Sequence, residues 1–129
     1  MRSIPLHHTQ EFFSLIGIPY DVKNCWDIAV DFYLKILNIN LSNIYSGDTP
    51  PREVTKELIY TNIGGFERVS VPEFGDIIIL KMFGIESHIA IYVGEGKMLH
   101  TSQKTGSVID FISRWERVIV GYYRVKKEK

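Results

Sequence analysis

A single cysteine, Cys25, supplies all the thiol chemistry of this 129-residue chain, so no disulfide can form within it and the redox compartment is left open. No close ligand pair of the CxxC or HExxH kind is present to anchor a metal. Charge of one sign is also missing. Fifteen basic residues balance fifteen acidic ones, which leaves no basic excess to advertise nucleic acid as a partner. No apolar run approaches the ~18 residues of a membrane span. A secretory leader is not written at the N-terminus either. His7, His8, Gln10 and Glu11 interrupt any apolar core, Phe12 to Ile18 is too short, and no small-residue cleavage site follows. The expectation is cytoplasmic synthesis without a signal peptide, or departure by a route not written at the N-terminus. Repeats and low-complexity segments are absent as well.

What is present suits one globular domain over residues 1–129. Hydrophobic content of 45% and charged content of 23% are ordinary for a soluble fold of a size that buries a core unaided. Thr9 to Gly17 reads as a short helix, Cys25 to Leu37 as a second and Glu53 to Asn62 as a third. The period then changes to two. Asp76 to Phe83, Ser87 to Val93, Lys97 to Ser102 and Val118 to Val125 are predicted strands, with Asp110 to Trp115 a short helix before the last. Lys126 to Lys129 reads as a solvated tail. Helices first and strands afterwards indicate an α+β domain whose helices pack on a central antiparallel sheet.

Within that plan Cys25 is placed as a nucleophile would be. Asn24 is a good N-cap, which puts the thiol in the first helical turn, where unpaired amides and the helix dipole favour an anion. On that basis its pKa is expected to fall. Cys25, Ile28, Ala29, Phe32 and Ile36 form one stripe of a 3.6-residue period, so the thiol begins the face that packs on the protein. A lone cysteine is more often a small buried hydrophobe, and two downstream histidines raise the functional reading above that.

Gly94-Glu95-Gly96 is expected to be a three-residue hairpin loop. Tyr92 then faces Met98, and Ala90 faces His100. His88, Ala90 and Tyr92 share one sheet face, with His100 on the same face diagonal to His88, roughly 7–8 Å away along the backbone. The helix bearing Cys25 is expected to cover that face. Two chemistries fit. His88 can act as the base for the Cys25 thiol with His100 orienting it, or all three can ligate zinc with a fourth position open. Taken singly, either histidine reads as a polar residue satisfied within a sheet.

Asn24-Cys25-Trp26 with Phe32-Tyr33, Gly75-Asp76, Ser87-His88-Ile89-Ala90-Ile91-Tyr92-Val93-Gly94 and Met98-Leu99-His100-Thr101 resemble the NlpC family of papain-like cell-wall cysteine peptidases. The phage tail-assembly branch is the nearest in flavour, and the likeness covers about Pro19 to Arg124. The resemblance implies a papain-like (NlpC-type) domain with a core of about 19–124. It implies Cys25 as nucleophile, His88 as base and His100 as the orienting residue, with no cofactor or metal. It further implies cleavage of amide bonds in peptidoglycan stem peptides, with phage tail proteins as further partners. Tyr20 stands where the family carries a tyrosine near the oxyanion, but without the usual glycine-rich stretch before the cysteine. Asp27 replaces a small residue and would oppose the thiolate or line a subsite; Trp26 would line a groove or join the core. The alternatives are a non-catalytic tail-assembly or binding module, and an amidase or acyltransferase acting on another substrate.

Overall fold

The computed structural model describes residues 12–41, 66–82 and 85–125. The α-helix α1 (Cys25–Phe32) continues through a π-helical turn (Tyr33–Leu37) that ends at Asn38 in the left-handed region, φ 58°. Six strands follow: β1 (Phe66–Val69), β2 (Ile77–Met82), β3 (Ile85–Gly94), β4 (Lys97–Ser102), β5 (Gly106–Phe111) and β6 (Ile119–Val125). They form one antiparallel sheet in the order β1-β6-β2-β3-β4-β5. The α+β architecture is as expected. The predicted strands beginning at Asp76, Ser87, Lys97 and Val118 correspond to β2, β3, β4 and β6. The helix predicted for Glu53 to Asn62, residues 9–11 of the one starting at Thr9 and the Lys126 to Lys129 tail lie outside the described residues; of the rest of the Thr9 helix, Phe12 and Phe13 are helical and residues 14–17 form turns and bends.

Two strands escaped the sequence reading. β1 is four residues long on the sheet edge, too short to display a period. β5 takes in Asp110 and Phe111, which the sequence assigned to a helix. Only after Phe111 does the chain coil, as two 3₁₀ turns at Ile112–Arg114 and Glu116–Val118.

The apolar residues of the sheet alternate between two cores. Ile77, Ile79, Ile89, Ile91 and Leu99 pack with the Ile28, Ala29, Phe32 and Ile36 stripe of α1. Ile78, Leu80, Ala90, Tyr92 and Met98 form the second core, covered by Ile112, Trp115, Val118 and Tyr122. A buried carboxylate joins the strands at one end: Asp76 accepts from Arg124 Nε at 2.9 Å and from Nη2 at 2.7 Å. A bidentate pair of this kind compensates the cost of burying the charge and fixes β2 against β6.

The β3–β4 hairpin keeps its predicted register by an unpredicted route. Glu95 and Gly96 both have positive φ (54° and 73°), a two-residue turn of the twist-matching type. The pairing shifts between Tyr92 and Gly94, so Val93 bulges and Tyr92 still faces Met98. Without that bulge the two-residue turn would send the histidines to opposite faces.

Candidate active site

Asn24 caps α1 as its residue type dictates. Its side chain accepts the Asp27 amide at 2.9 Å, and the Asp27 carboxylate returns the bond to the Asn24 amide at 3.1 Å. This capping box occupies the third amide of the helix and leaves those of Cys25 and Trp26 to face the thiol. Asp27 is therefore held by the cap, although its charge also bears on the thiol. Trp26, considered for a substrate groove, is 2% exposed and belongs to the core. A side chain so enclosed supports the helix start from behind.

The histidines lie together as the strand period requires. His88 Nε2 is 3.5 Å from His100 Nδ1, and the rings meet edge to face at 5.7 Å. The face they share is the expected one, that of Ala90, Tyr92 and Met98, but the helix expected to cover it does not: α1 covers the opposite face. The aliphatic stripe of α1 packs on the isoleucines and the leucine that the odd-numbered residues of β2, β3 and β4 provide.

Cys25 reaches the strand that bears His88 along the seam between β3 and β4. Tyr92 exchanges backbone bonds with Asp76 and Gly75 at 2.8 Å each, so the even residues of β3 turn their amides toward β2 and the odd ones toward β4. The β3–β4 pairing runs only as far as Ile91 and Leu99. Beyond it the Ile89 amide has no strand to bond, and the Cys25 sulfur takes its place. The thiol thus rests on the residue following His88.

Burial decides the protonation of both groups. It pushes the Cys25 thiol up to about 11, against the pull of the Ile89, Trp26 and Cys25 amides and with a small push from Asp27. The expected fall does not occur. Burial likewise lowers His88 to about 4, and His100 beside it lowers it further. His100 is also held below the usual histidine range by burial, with Asp110 working in the opposite direction. At neutral pH the site holds an uncharged thiol and two uncharged imidazoles. Among the described residues, no group of three histidine, cysteine or acidic side chains is arranged to hold a metal ion. The zinc arrangement therefore lacks its ligand cluster.

Tyr20 is carried to the site by a strap. Ile18 donates to Ser107 Oγ at 2.8 Å, Ser107 Oγ donates to the Leu15 carbonyl at 2.6 Å, and Ser107 donates its amide to Ile18 at 2.9 Å. Burial, then Cys25, then Asp27 raise the Tyr20 phenol, so it stays protonated and able to donate near the thiol. A groove of about 460 Å³ runs beside it, between Gly17–Asp21 and the turn Gln103–Gly106.

Sequence reasoning missed Asp110 and Trp115. Asp110 faces Met98 across the β4–β5 ladder, which puts it on the histidine face and diagonal to His100. The one available signal, alternation through Gly106 to Phe111, was obscured by reading Asp110 as a helix start. No described helix is long and apolar enough to cross a membrane.

A capped helix bearing a cysteine, packed on an antiparallel sheet that carries two paired histidines, defines an α+β domain. The NlpC/P60 family model matches residues 13–124, and the chain belongs to the NlpC/P60 family. No curated protein sequence matches it. Among solved structures it is similar to the NlpC/P60 domain of the peptidoglycan hydrolase SagA, with a TM-score of 0.61, 17% identity and coverage of 92% of this chain and 96% of that one. A lipoprotein-like NLP/P60 protein from Staphylococcus aureus gives a TM-score of 0.63 at 17% identity, over 98% of this chain and 44% of that one. An NlpC/P60 protein from Bacillus cereus gives 0.58 at 17% identity, over 87% and 37%. At such identities these likenesses speak for the fold alone, and this chain spans under half of the latter two.

Proposed function

We propose that this protein is a cysteine peptidase that hydrolyses amide bonds in the stem peptides of bacterial peptidoglycan. The observation that carries this reading is the meeting of the Cys25 sulfur with the Ile89 amide next to the His88–His100 pair. Family membership and the likeness to a domain described as part of a peptidoglycan hydrolase support the substrate class.

In this reading His88 takes the Cys25 proton as sulfur attacks the scissile carbonyl. The resulting oxyanion is met by the Cys25 and Trp26 amides, which face the sulfur, and by the Tyr20 hydroxyl. His88 then gives its proton to the departing amine, leaving a thioester on Cys25. Water, deprotonated by His88, attacks the thioester and releases the acid and the thiol. Because both resting groups are uncharged, proton transfer accompanies attack and no standing thiolate–imidazolium pair is needed. The cysteine–tryptophan opening of the helix is the feature that favours a phage tail-associated setting for this activity.

A second reading, a binding module that keeps the fold without turnover, draws on the thiol pushed up to about 11. Digestion of purified peptidoglycan with mass analysis of the products separates the two. Release of cleaved stem peptides by the wild type, and none by Cys25→Ala, is expected. Intact sacculi with the wild type bound to them would favour the binding module. Release that persists in Cys25→Ala would overturn the nucleophile.

A further inference from the structure

Beyond His100 the polar chain continues on the side away from His88. Asp110 Oδ2 lies 3.6 Å from His100 Nε2, a nitrogen that is buried with no hydrogen-bond partner at closer range. The carboxylate is held in place from three directions. Trp115 Nε1 donates to Oδ2 at 3.1 Å, the Phe111 amide donates to Oδ1 at 2.8 Å, and Arg114 Nε stands 3.7 Å from Oδ1 on the solvent side. The indole does a second task. Its ring packs against His100 at 5.3 Å and closes the face on which both histidines lie.

A neutral imidazole carries one proton, and its two nitrogens must differ. An ionised carboxylate only accepts, so the His100 nitrogen that faces it is the one bearing hydrogen. His100 Nδ1 is then a bare acceptor, and the His88 nitrogen 3.5 Å away, Nε2, must be a donor. That leaves His88 Nδ1 unprotonated. We propose that Asp110, clamped by Trp115, is a positioning residue that sets the tautomers of both histidines and thereby makes His88 Nδ1 the base. The inference rests on the hydrolase reading in naming a base, but the proton arrangement exists whether or not turnover occurs. Asp110 is suited to the task. Burial alone would raise its carboxyl, but Trp115 and Phe111 as donors, with Arg114 and His100 nearby, hold it below the usual carboxylate range. Catalytic contacts are commonly long in unliganded sites, and 3.6 Å is of that kind.

The test uses the full chain labelled with ¹⁵N, with the ring nitrogens of His88 and His100 read by NMR at neutral pH. The wild type is expected to hold protons at Nε2 of both histidines and none at Nδ1. Asp110→Ala should replace that single arrangement by a mixture of tautomers. Asp110→Asn, which keeps the shape and one acceptor oxygen, should fall between and carries the test if the alanine variant does not fold. In peptidoglycan-fragment hydrolysis Asp110→Ala should lower kcat about tenfold, the scale of one lost charge-assisted hydrogen bond, with KM unchanged. A proton on His100 Nδ1 in the wild type, or tautomers unmoved by both variants, overturns the proposal while leaving hydrolysis by Cys25 standing. The expected tautomers in a protein that cleaves nothing would support Asp110's role and refute the hydrolase reading.

Discussion

At Cys25 two electrostatic effects compete, and their sizes differ. A helix N-terminus favours an anion by about 0.3–1 kcal/mol. Raising the thiol from its ordinary 9.0 to about 11 corresponds to roughly 3 kcal/mol in the other direction. Burial wins, and the consequence is measurable. Alkylation of Cys25 by iodoacetamide should be slow at pH 7 and rise about tenfold per pH unit toward pH 11, since only the thiolate reacts. Fast labelling that does not change between pH 6 and 8 would refute the neutral resting thiol. The proposed base has its own signature. His88 loses its capacity to accept a proton as pH falls through about 4, so kcat/KM should stay level near neutrality and drop only below about pH 5. Removing His88 should cost about 10²–10⁴-fold in kcat. His100→Ala should cost less, and His100→Asn should recover part of the loss, because an amide oxygen still accepts from His88 Nε2. Equal and complete loss in both His100 variants would sink the orienting role.

Among the elements, the β5 edge has the least obvious importance. Gly106 begins it at φ +69°, and a Cβ there would lie 2.6 Å from the Ile18 carbonyl oxygen, so the strap needs glycine at this point. The next residue, Ser107, is fully buried and joins the strap to the sheet through its hydroxyl. Ser107→Ala leaves the Ile18 amide and the Leu15 carbonyl without that partner, at a cost of about 2 kcal/mol. Because the strap leads into Tyr20, whose hydroxyl is proposed to meet the oxyanion, the same variant should lower kcat more than it raises KM. Urea unfolding and steady-state kinetics on one preparation check both halves. A variant as stable as the wild type would mean that the strap contributes nothing to folding. The helix makes a similar point from its own start. The capping box holds Cys25 in the first turn, and Asn24→Ala should cost about 1 kcal/mol in the same unfolding assay.

For the whole molecule, a sheet that buries two neutral imidazoles ties stability to pH. His88 takes up its proton near 6.5 when unfolded but only near 4 when folded, and His100 is shifted in the same direction. Between those values the unfolded chain binds more protons, so stability is greatest above about pH 6.5 and is lost as pH falls toward 4. His88 alone accounts for about 3 kcal/mol of that loss. The urea midpoint of the wild type should fall from pH 7 to pH 4.5, and His88→Gln should flatten the slope. Equal midpoints at the two pH values in the wild type would show that the histidines are not buried neutral.

The local features of this protein are legible in its sequence because each depends on near neighbours. The helix stripe from Cys25 to Ile36, the Asn24 cap, the strands β2, β3, β4 and β6 and the pairing of Tyr92 with Met98 follow from periods and turn chemistry spanning a few residues. The closeness of His88 and His100 follows from them too. Three features were decided only by the assembled structure. The face of the sheet that α1 covers depended on which apolar residues the helix stripe met once the strands had paired. The protonation of Cys25 and His88 depended on exclusion of water, which no spacing of residues encodes. Asp110 reached His100 because β5 added to the sheet beside β4, an alignment set by pairing between strands rather than by either strand alone.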